Sequence, residues 1–392
     1  MAERYITRLF PEICRTRTPD ELLATAQAAI AMHPLAAGGT LKAAHLLDSS
    51  QPFVLFGAGR FAKSVLENWL ARGIRPAYCV DSNPRLWDST LLGVPIVSPQ
   101  VLFAQKPAPL VIVAAMITGG MEAELAARGL PCLFAERDGH VGFLPGSKLL
   151  DVADSLHRVW DLLADAQSRQ VLLAACKARL FQSVQFEMIG SPFLHQMTSA
   201  PQYFVPDILN FADNETWVDC GAYDGDFLVS GHAFMLGAGL KVPQIHAFEA
   251  DTVNMARLAR TVHDFALPKV SLHRALVGGE DGWCANPDFN NCRNDDGAIE
   301  PVPMVRLDTA LAENEVHLLK MDIEGAEPAA LAGATATIRK WQPKLAICVY
   351  HDTRHLLDIP LQINEQHGNY RLYLRHHSTS SLWETVCYAN PI

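Results

Sequence analysis

Two glycine loops, each followed further along the chain by an acidic residue that ends a predicted strand, are the features that could do chemistry. The first loop spans 57–60 and its acid is Asp81. The second spans 221–225 and its acid is Glu249. Glycine lets the backbone approach a ligand closely, and an acid after the second strand of a parallel sheet can accept hydrogen bonds from ribose hydroxyls. Both loops are therefore candidate sites for a ligand that contains a nucleoside.

We call residues 57–60 the N-terminal loop. Gly57 and Gly59 precede Arg60 at the predicted start of a helix, and Asp81 ends the next strand, which fits part of the dinucleotide fingerprint. No Tyr-x-x-x-Lys or comparable proton relay follows, as a dehydrogenase of that type would need. The two hypotheses are a nucleotide or nucleotide-sugar site and a glycine-tightened turn that binds nothing.

We call residues 221–225 the C-terminal loop. It lacks the Lys-Ser/Thr ending of a P-loop, and an acid, Asp219, stands ahead of its first glycine. An acid at this place suits a cofactor that carries the cationic amino group of an amino-acid tail, and does not suit a pyrophosphate. The predicted cofactor contacts are Asp219, Gly221, Ala222, Tyr223, Asp224, Gly225, Glu249 and Ala250. The alternative is a tight turn without a ligand.

Acidic and imidazole side chains at two later strand ends are the candidates for catalysis. They are Asp322, with Glu324 just after it, and His351. His351 is the candidate general base because imidazole titrates near neutral pH. Asp322 would orient His351 or the reacting substrate, which is called the acceptor below. Alternatively, it would share a divalent ion with His351. The alternatives are a structural role for His351, and carboxylates at Glu324 and Glu327 that cap or pair with the following helix.

Several neighbouring residues have a secondary expectation. Lys320 is predicted to neutralise Asp322 or Glu324, and Asp308 to act as a helix N-cap. Tyr203 and Phe204 are expected either to cover the cofactor or to lie in the core.

A long polar connection at 278–300 is the candidate acceptor region. Its Trp283, Phe289, Asn290 and Asn291 suit a polyol, because amides bond hydroxyls and aromatic rings stack on sugar faces. The alternative is a surface loop that contacts no substrate.

The predicted elements form two strand-and-helix regions. Residues 1–50 are predicted to be helical, with a helix from Pro19 to about Ala31, and residues 146–200 to be a helical connector. The strands between them are expected at 52–56, 76–80 and 109–116. The strands of the later region are expected at 215–221, 244–250, 270–278, 316–325, 344–351, 370–377 and 384–389. Alternation of strands and helices predicts parallel sheets, and the short last connection predicts an antiparallel final strand.

Six runs of sequence in the later region carry a family resemblance. They are PQYFVPDIL (201–209), ETWVDCGAYDGDF (215–227), HAFEAD (246–251), VRLDTAL (305–311), LLKMDIEGAEPAALAGA (318–334) and PKLAICVYH (343–351). In this order, from about Pro201 to His377, they resemble the FkbM-type S-adenosylmethionine-dependent methyltransferases. The resemblance implies a class I methyltransferase fold, S-adenosyl-L-methionine as cofactor, and methyl transfer to oxygen of a sugar or natural-product hydroxyl.

Three shorter runs carry a second resemblance. They are FGAGRFA (56–62), CVDSNP (79–84) and GVPIVSP (93–99). They resemble small Rossmann-like domains of sugar-modifying enzymes, notably the N-terminal sugar-binding domain of sugar acyltransferases and the C-terminal domain of sugar C-methyltransferases. This resemblance implies a nucleotide or nucleotide-sugar ligand.

The fold expected from these features is α/β in two parts. Residues 1–50 form a helical segment, 51–145 a small Rossmann-like domain, 146–200 the connector and 201–392 a class I methyltransferase domain. That last domain is expected to hold a mostly parallel seven-stranded sheet with an antiparallel last strand. The expected function is O-methyl transfer to a hydroxyl of a sugar, nucleotide-linked sugar or related natural product. The alternatives are an NAD(P)-dependent oxidoreductase acting through the N-terminal loop and a non-catalytic ligand-binding module.

Composition bounds the partners. The 392-residue chain has a formal net charge of −10, which disfavours non-specific binding to nucleic acid or anionic lipid. No apolar run approaches the length of a membrane span, and nine scattered Cys without a C-x-x-C pair favour reduced thiols and a cytoplasmic location. The expected partner is a small-molecule or sugar acceptor, a divalent metal is compatible with the acidic strand ends, and a homo-oligomer is not excluded.

Overall fold

The structure, a computed structural model, describes only part of the chain. The described residues are 15–32, 52–71, 73–114, 124–125, 128–130, 132–134, 146–180, 197, 201–285, 301–378 and 383–392. They belong to two compact units, one of 1–157, 170–198 and 378–383, the other of 158–169, 199–377 and 384–392. The domain boundaries expected from the sequence stay predictions.

The first unit is built on a sheet of six short strands. Its strands are β1 (Phe53–Phe56), β2 (Cys79–Val80), β3 (Thr90–Leu91), β4 (Val94–Val97), β5 (Leu110–Val113) and β6 (Cys132–Phe134). Its helices include α1 (Pro19–Met32), α2 (Arg60–Ala71), α3 (Pro99–Ala104) and α4 (Gly146–Asp151). The strand order is β3-β4-β2-β1-β5-β6, and every pair except the β3–β4 hairpin is parallel.

The three strands expected in this region are confirmed, and three more were missed. β3 and β4 form a hairpin whose two-residue turn, Leu92 and Gly93, has positive φ at both positions. That is the backbone of a type I′ turn, which favours glycine. The missed strands have only two to four residues, too few to show an alternating hydrophobic pattern.

Two helices follow α4, with a break between them. They are α5 (Ala153–Leu162) and α6 (Ala166–Leu180). Asp165 and Ser168 mark the break: Asp165 Oδ1 accepts a hydrogen bond from the Ser168 N–H at 2.6 Å. In the break, the Ala164 N–H donates to the Leu372 carbonyl at 2.9 Å. Both residues belong to the second unit, and their bond covers part of an edge strand there that would otherwise present unpaired backbone groups.

The second unit contains the predicted seven-stranded sheet. Its strands are β7 (Thr216–Cys220), β8 (Gln244–Phe248), β9 (Val270–His273), β13 (Leu318–Met321), β14 (Lys344–Cys348), β15 (Tyr370–His376) and β16 (Thr385–Pro391). A second, small sheet holds the three strands between β9 and β13, which are β10 (Leu276–Val277), β11 (Gly282–Cys284) and β12 (Val302–Val305). Its helices are α7 (Asp226–Gly237), α8 (Thr252–Asp264), α9 (Leu307–Ala310), α10 (Glu327–Ala332), α11 (Thr335–Trp341) and α12 (His355–His367).

The large sheet has the order β15-β16-β14-β13-β7-β8-β9, and only β16 runs against its neighbours. The expected mostly parallel sheet with an antiparallel last strand is therefore confirmed. One expected strand, 270–278, divides: the Ala275 N–H bonds the His273 carbonyl at 3.0 Å, and this tight turn directs β10 into the small sheet. No helix among the described residues is long and apolar enough to cross a membrane.

An aromatic cluster fixes α7, and with it the C-terminal loop, to the large sheet. Phe204 stacks on Phe227 with ring centroids 5.2 Å apart and lies 5.6 Å from Trp217. Gly231 permits this packing, because a Cβ there would lie 2.6 Å from the Trp217 ring. Phe204 thus belongs to the core, as one of its two predicted roles had it.

Candidate functional site

The C-terminal loop lies where β7 ends, between β8 and β13. The N–H groups of Gly221 and Ala222 both donate to the Phe248 carbonyl at 3.0 Å. Gly221 has a φ of +83°, and a Cβ on it would lie 1.9 Å from the Asp322 carbonyl oxygen. Only glycine fits this position, because the backbone after β13 passes directly against it.

Glu249, the acid after β8, holds the backbone of the loop. Its Oε2 accepts the Tyr223 N–H at 2.8 Å, and its Oε1 accepts the Asp251 N–H at 2.7 Å. The side chain is 7% exposed. Burial raises the pKa of Glu249 above its ordinary value, and the two backbone hydrogen bonds only partly oppose this. Each carboxylate oxygen keeps a further lone pair that a ribose hydroxyl could use.

A buried ion pair lies beneath the loop. Lys320 Nζ is 2.9 Å from Asp219 Oδ1 and donates a hydrogen bond to the Gly221 carbonyl at 2.8 Å. Asp219 is 0% exposed, and neither of its oxygens accepts a hydrogen bond of good geometry from the described residues. Burial raises the pKa of Asp219, and the charge of Lys320 opposes that rise. The expectation that Lys320 neutralises Asp322 or Glu324 is corrected: its partner is Asp219, directly opposite it on the neighbouring strand.

Asp322, at the end of β13, is held by two tyrosines. The Tyr350 hydroxyl donates to Asp322 Oδ1 at 2.8 Å, and the Tyr203 hydroxyl donates to Asp322 Oδ2 at 3.0 Å. Tyr203, expected either to cover the cofactor or to lie in the core, is buried and bonds this site. Burial raises the pKa of both phenols, so they stay protonated donors at neutral pH.

His351 lies beside Asp322, with its ring fixed from behind. Its Nδ1 is 2.8 Å from Glu327 Oε1, and its Nε2 is 3.3 Å from Asp322 Oδ1. Burial disfavours the charged imidazole, but Glu327, followed by Asp322 and Glu324, outweighs it, so the pKa of His351 is raised. Glu324, after β13, brings Oε2 to 3.9 Å from the same Nε2, with a side chain that is 73% exposed.

Glu327 has two roles in the structure. It is the first residue of α10, and its Oε1 accepts the N–H of Ile323, which lies ahead of the helix, at 2.9 Å, so the capping role expected as an alternative is not the one it has. It also orients His351 and lies 3.4 Å from His355 Nδ1. Burial opposes ionisation, but the neighbouring His351 and His355 hold the pKa of Glu327 well below its ordinary value.

Comparison with known proteins identifies this region. Residues 219–379 match the family described as the methyltransferase FkbM domain. This region is a methyltransferase domain of the FkbM family. The family assignment expected from the sequence for this region is therefore confirmed, and the matched domain is a methyltransferase of a family that depends on S-adenosylmethionine.

One solved structure shows the fold along most of the chain. The methyltransferase FkbM from Methylobacillus flagellatus KT is 20% identical, covers 95% of this chain and 99% of its own, and gives a TM-score of 0.72. Two further structures are similar over less of the chain. An rRNA methylase from Streptococcus thermophilus is 11% identical, covers 46% of this chain and 89% of its own, and gives a TM-score of 0.31. A SAM-dependent methyltransferase from Aquifex aeolicus is 11% identical, covers 47% of this chain and 85% of its own, and gives a TM-score of 0.29. No curated protein matches the sequence. The first similarity shows a shared fold along most of the chain.

The C-terminal loop of the FkbM domain fits the cofactor of its family. Asp219 Oδ1 pairs with Lys320 while its Oδ2 has no partner among the described residues, Gly221 leaves a space that a Cβ would fill, and Glu249 lies at the next strand end. The side chains of Ala222 and Ala250 are buried, so their contribution there would come from the backbone. Tyr223 is exposed and Asp224 is half-buried. Gly225, with a φ of +92°, is the N-cap of α7.

Two polar residues near Asp322 escaped the sequence analysis. Glu384 stands before β16, and its Oε2 accepts a hydrogen bond from Gln202 Nε2 at 2.6 Å. Burial raises the pKa of Glu384, assisted by the charge of Asp322. A signal was available, because an antiparallel strand begins at the edge where its parallel neighbours end, so the residue before β16 had to lie beside their carboxyl ends. Tyr350 likewise precedes His351 directly in the sequence.

The acceptor residues expected in the long polar connection are largely untested. Phe289, Asn290 and Asn291 lie outside the described residues. Trp283 is 71% exposed on β11. Cys284 next to it packs on the cluster of Ala250 and Val302, and successive residues of a strand point to opposite faces, so Trp283 faces away from that cluster.

Asp308 caps a helix, but not the one expected. It lies inside α9, and its carboxylate accepts the N–H groups of Ala336 and Thr337 at 3.0 and 2.8 Å. These residues begin α11, so the cap joins two helices that are separate in sequence.

The N-terminal loop repeats the geometry around Glu249 on a smaller scale. The Gly57 N–H donates to the Val80 carbonyl at 2.7 Å. Asp81 Oδ2 accepts the Ala58 N–H at 2.8 Å, and its Oδ1 accepts the Asn83 N–H at 2.8 Å. Gly59 precedes α2, which begins at Arg60, a residue whose side chain is outside the described groups. Ligand binding at this loop stays a prediction.

Proposed function

We propose that this methyltransferase transfers a methyl group from S-adenosyl-L-methionine to a hydroxyl of a sugar, a nucleotide-linked sugar or a related natural product. The observation that carries the proposal is the arrangement of Asp219 and Glu249 at adjacent strand ends. Asp219 is a buried acid whose Oδ1 pairs with Lys320 and whose Oδ2 is left for an ammonium group, and Glu249 is an acid suited to ribose hydroxyls. S-adenosyl-L-methionine carries both groups and, when bound, supplies a methyl group on a sulfonium.

The residues beyond β13 and β14 would meet the acceptor. Asp322 is fixed by the hydroxyls of Tyr203 and Tyr350, so it can accept a hydrogen bond from an incoming hydroxyl without rearranging. His351, the general base expected from the sequence, presents Nε2 beside Asp322. In-line methyl transfer depends on alignment of the acceptor oxygen, and rigid strand ends provide it.

The N-terminal loop would hold a nucleotide or nucleotide-sugar ligand. The support is the bond of Asp81 to the loop backbone, which matches that of Glu249 in the methyltransferase domain. Asp81→Ala should weaken the binding of a nucleotide-sugar at least tenfold in calorimetry and leave the affinity for S-adenosylhomocysteine unchanged. An unchanged affinity for the nucleotide-sugar would remove this part of the proposal.

The first experiment is calorimetric titration of the full chain with S-adenosylmethionine and S-adenosylhomocysteine. We expect micromolar binding that Glu249→Ala weakens at least tenfold, because the ribose hydroxyls lose their acceptor. Asp81→Ala is the matched control, with an acid removed from the equivalent strand end. Absence of binding by the wild type would contradict the proposal and favour a non-catalytic binding module.

Tritiated S-adenosylmethionine then allows a screen of hydroxylated acceptors. Label transferred to sugars or nucleotide-sugars would support the acceptor class. Label transferred only to amines or carbon acids would contradict it.

A further inference from the structure

The orientation of His351 is set by groups that do not face the acceptor. Its Nδ1 is 2.8 Å from Glu327 Oε1, and Glu327 is itself fully buried and bonded to the Ile323 N–H. This contact fixes the ring and leaves Nε2 as the outward atom. A buried carboxylate behind a histidine is a frequent device in metal sites, where it orients the ligand and increases its basicity.

The outward nitrogen faces two carboxylates. Nε2 makes no hydrogen bond to any described residue, although the side chain is 7% exposed. Asp322 Oδ1 lies 3.3 Å from it and Glu324 Oε2 lies 3.9 Å from it. Two ligands about 2.1 Å from one ion are separated by about 3.0 Å at right angles and about 4.2 Å when opposite. Both observed distances lie in that interval.

We propose that Asp322, Glu324 and His351 Nε2 bind a divalent metal ion, with Glu327 as the outer partner that orients the imidazole. Asp322, Glu327 and His351 each offer a ligand atom within 4.8 Å of the others. Glu327 already bonds the other ring nitrogen, so the ion belongs on the Nε2 side, where Glu324 is free to approach. One imidazole with two carboxylates suits a first-row ion such as Mn²⁺, and solvent or the acceptor would complete its coordination.

The role of the ion rests on the proposed O-methyl transfer. A hydroxyl bound to the ion has a lowered pKa and loses its proton to solvent. The oxygen then forms a bond to the methyl carbon while the carbon–sulfur bond breaks, and the electron pair stays on sulfur, which becomes a neutral thioether. With the ion bound, His351 would be a ligand, and this role would replace the general-base role expected for it from the sequence.

The test is a titration of the full chain with Mn²⁺. The electron paramagnetic resonance signal of free Mn²⁺ measures how much of the ion stays unbound. We expect the wild type to remove the free signal with a micromolar dissociation constant. Asp322→Asn and His351→Ala should weaken binding at least a hundredfold. Glu324→Gln, at an exposed side chain that cannot affect folding strongly, should weaken it about tenfold. Glu280→Gln removes an equal charge from an exposed site and should change nothing.

Calorimetry with S-adenosylhomocysteine on the same samples separates the two proposals. A wild type that binds S-adenosylhomocysteine but neither Mn²⁺ nor Zn²⁺ would overturn the metal site and leave the proposed function standing. A wild type that binds Mn²⁺ but not S-adenosylhomocysteine would leave the metal site standing and contradict the proposed function. The inference would also be overturned if the wild type bound Mn²⁺ no more tightly than the three variants Glu324→Gln, His351→Ala and Asp322→Asn. The ion would then lie elsewhere.

Discussion

The N-terminal and C-terminal loops share one backbone plan but rest on different pairs of side chains. In both, an acid at the next strand end accepts a loop N–H at 2.8 Å. Beneath the C-terminal loop, the neighbouring strands place Asp219 opposite Lys320. At the corresponding place beneath the N-terminal loop, they put Leu55 opposite Ile112, and both are fully buried.

This difference separates what a strand–loop–helix unit needs to fold from what it needs for chemistry. An apolar pair is sufficient for the fold, as Leu55 and Ile112 show. A buried ion pair often contributes no more stability than a well-packed apolar pair, because desolvation offsets the attraction. The presence of Asp219 and Lys320 therefore calls for a reason other than stability, and the proposed cofactor site supplies one.

The largest expected effect comes from breaking the ion pair on one side. Lys320→Met leaves Asp219 buried without a counter-charge and should lower the free energy of unfolding by about 3–5 kcal/mol. The double variant Asp219→Leu with Lys320→Ile copies the pair beneath the N-terminal loop and should recover most of that loss. It should still fail to bind S-adenosylhomocysteine.

Urea unfolding and calorimetry check both statements. A double variant as unstable as Lys320→Met would show that the pair is needed for the fold. One that binds S-adenosylhomocysteine normally would show that Asp219 takes no part in the cofactor site.

A second comparison concerns the glycines of the two loops. Gly221→Ala places a Cβ 1.9 Å from the Asp322 carbonyl oxygen at a φ of +83°. It should cost roughly 2–4 kcal/mol through overpacking and backbone strain, and should abolish S-adenosylhomocysteine binding. A Cβ on Gly59 meets no atom within 4 Å, so Gly59→Ala should change stability by no more than about 1 kcal/mol. Equal thermal shifts for the two variants would contradict this contrast.

The acids of the two loops differ by one methylene. Glu249→Asp should no longer reach the Tyr223 N–H and should lower the free energy of unfolding by about 1–2 kcal/mol, with a five- to tenfold weaker affinity for S-adenosylhomocysteine. Asp81→Asn, which keeps the length of the side chain, should leave that affinity unchanged. The comparison fails if Glu249→Asp binds as the wild type does.

The smallest expected effect is a change of S-adenosylhomocysteine affinity with pH, which arises from the acids of the C-terminal loop. Burial raises the pKa of Glu249 above 4.5, and ribose hydroxyls need its ionised form, so S-adenosylhomocysteine affinity should fall a few-fold from pH 7 towards pH 5. Glu249→Gln should flatten the profile, apart from a residual slope of the same sign from Asp219, whose pKa is also raised.

The sign for stability is opposite to that for binding. Because the pKa is raised in the folded state, the stability that Glu249 contributes is present below its ordinary pKa and is lost as pH rises through the raised value. The wild type should therefore lose stability relative to Glu249→Gln between pH 4 and pH 7. A flat difference in urea unfolding would contradict the raised pKa.

Much of the fold followed from local pattern. The strands of the large sheet were predicted because each is a run of apolar residues bounded by turn residues, and the antiparallel last strand because its connection is short. The short strands β3, β4 and β6 carry too little pattern to be seen. The division of 270–278 depends on where the small sheet packs, which no local rule states.

The amino-acid sequence by itself determined the two loops, their acids, the family of the second region and the strand ends where polar residues gather. Each is a local property of residue type, spacing and chain direction. Only the tertiary structure decided that Lys320 pairs with Asp219, that Asp308 caps α11, that Glu327 orients His351 and that Glu384 bonds Gln202. These pairings join residues far apart in sequence, and strand order and register choose among the partners that residue type alone allows.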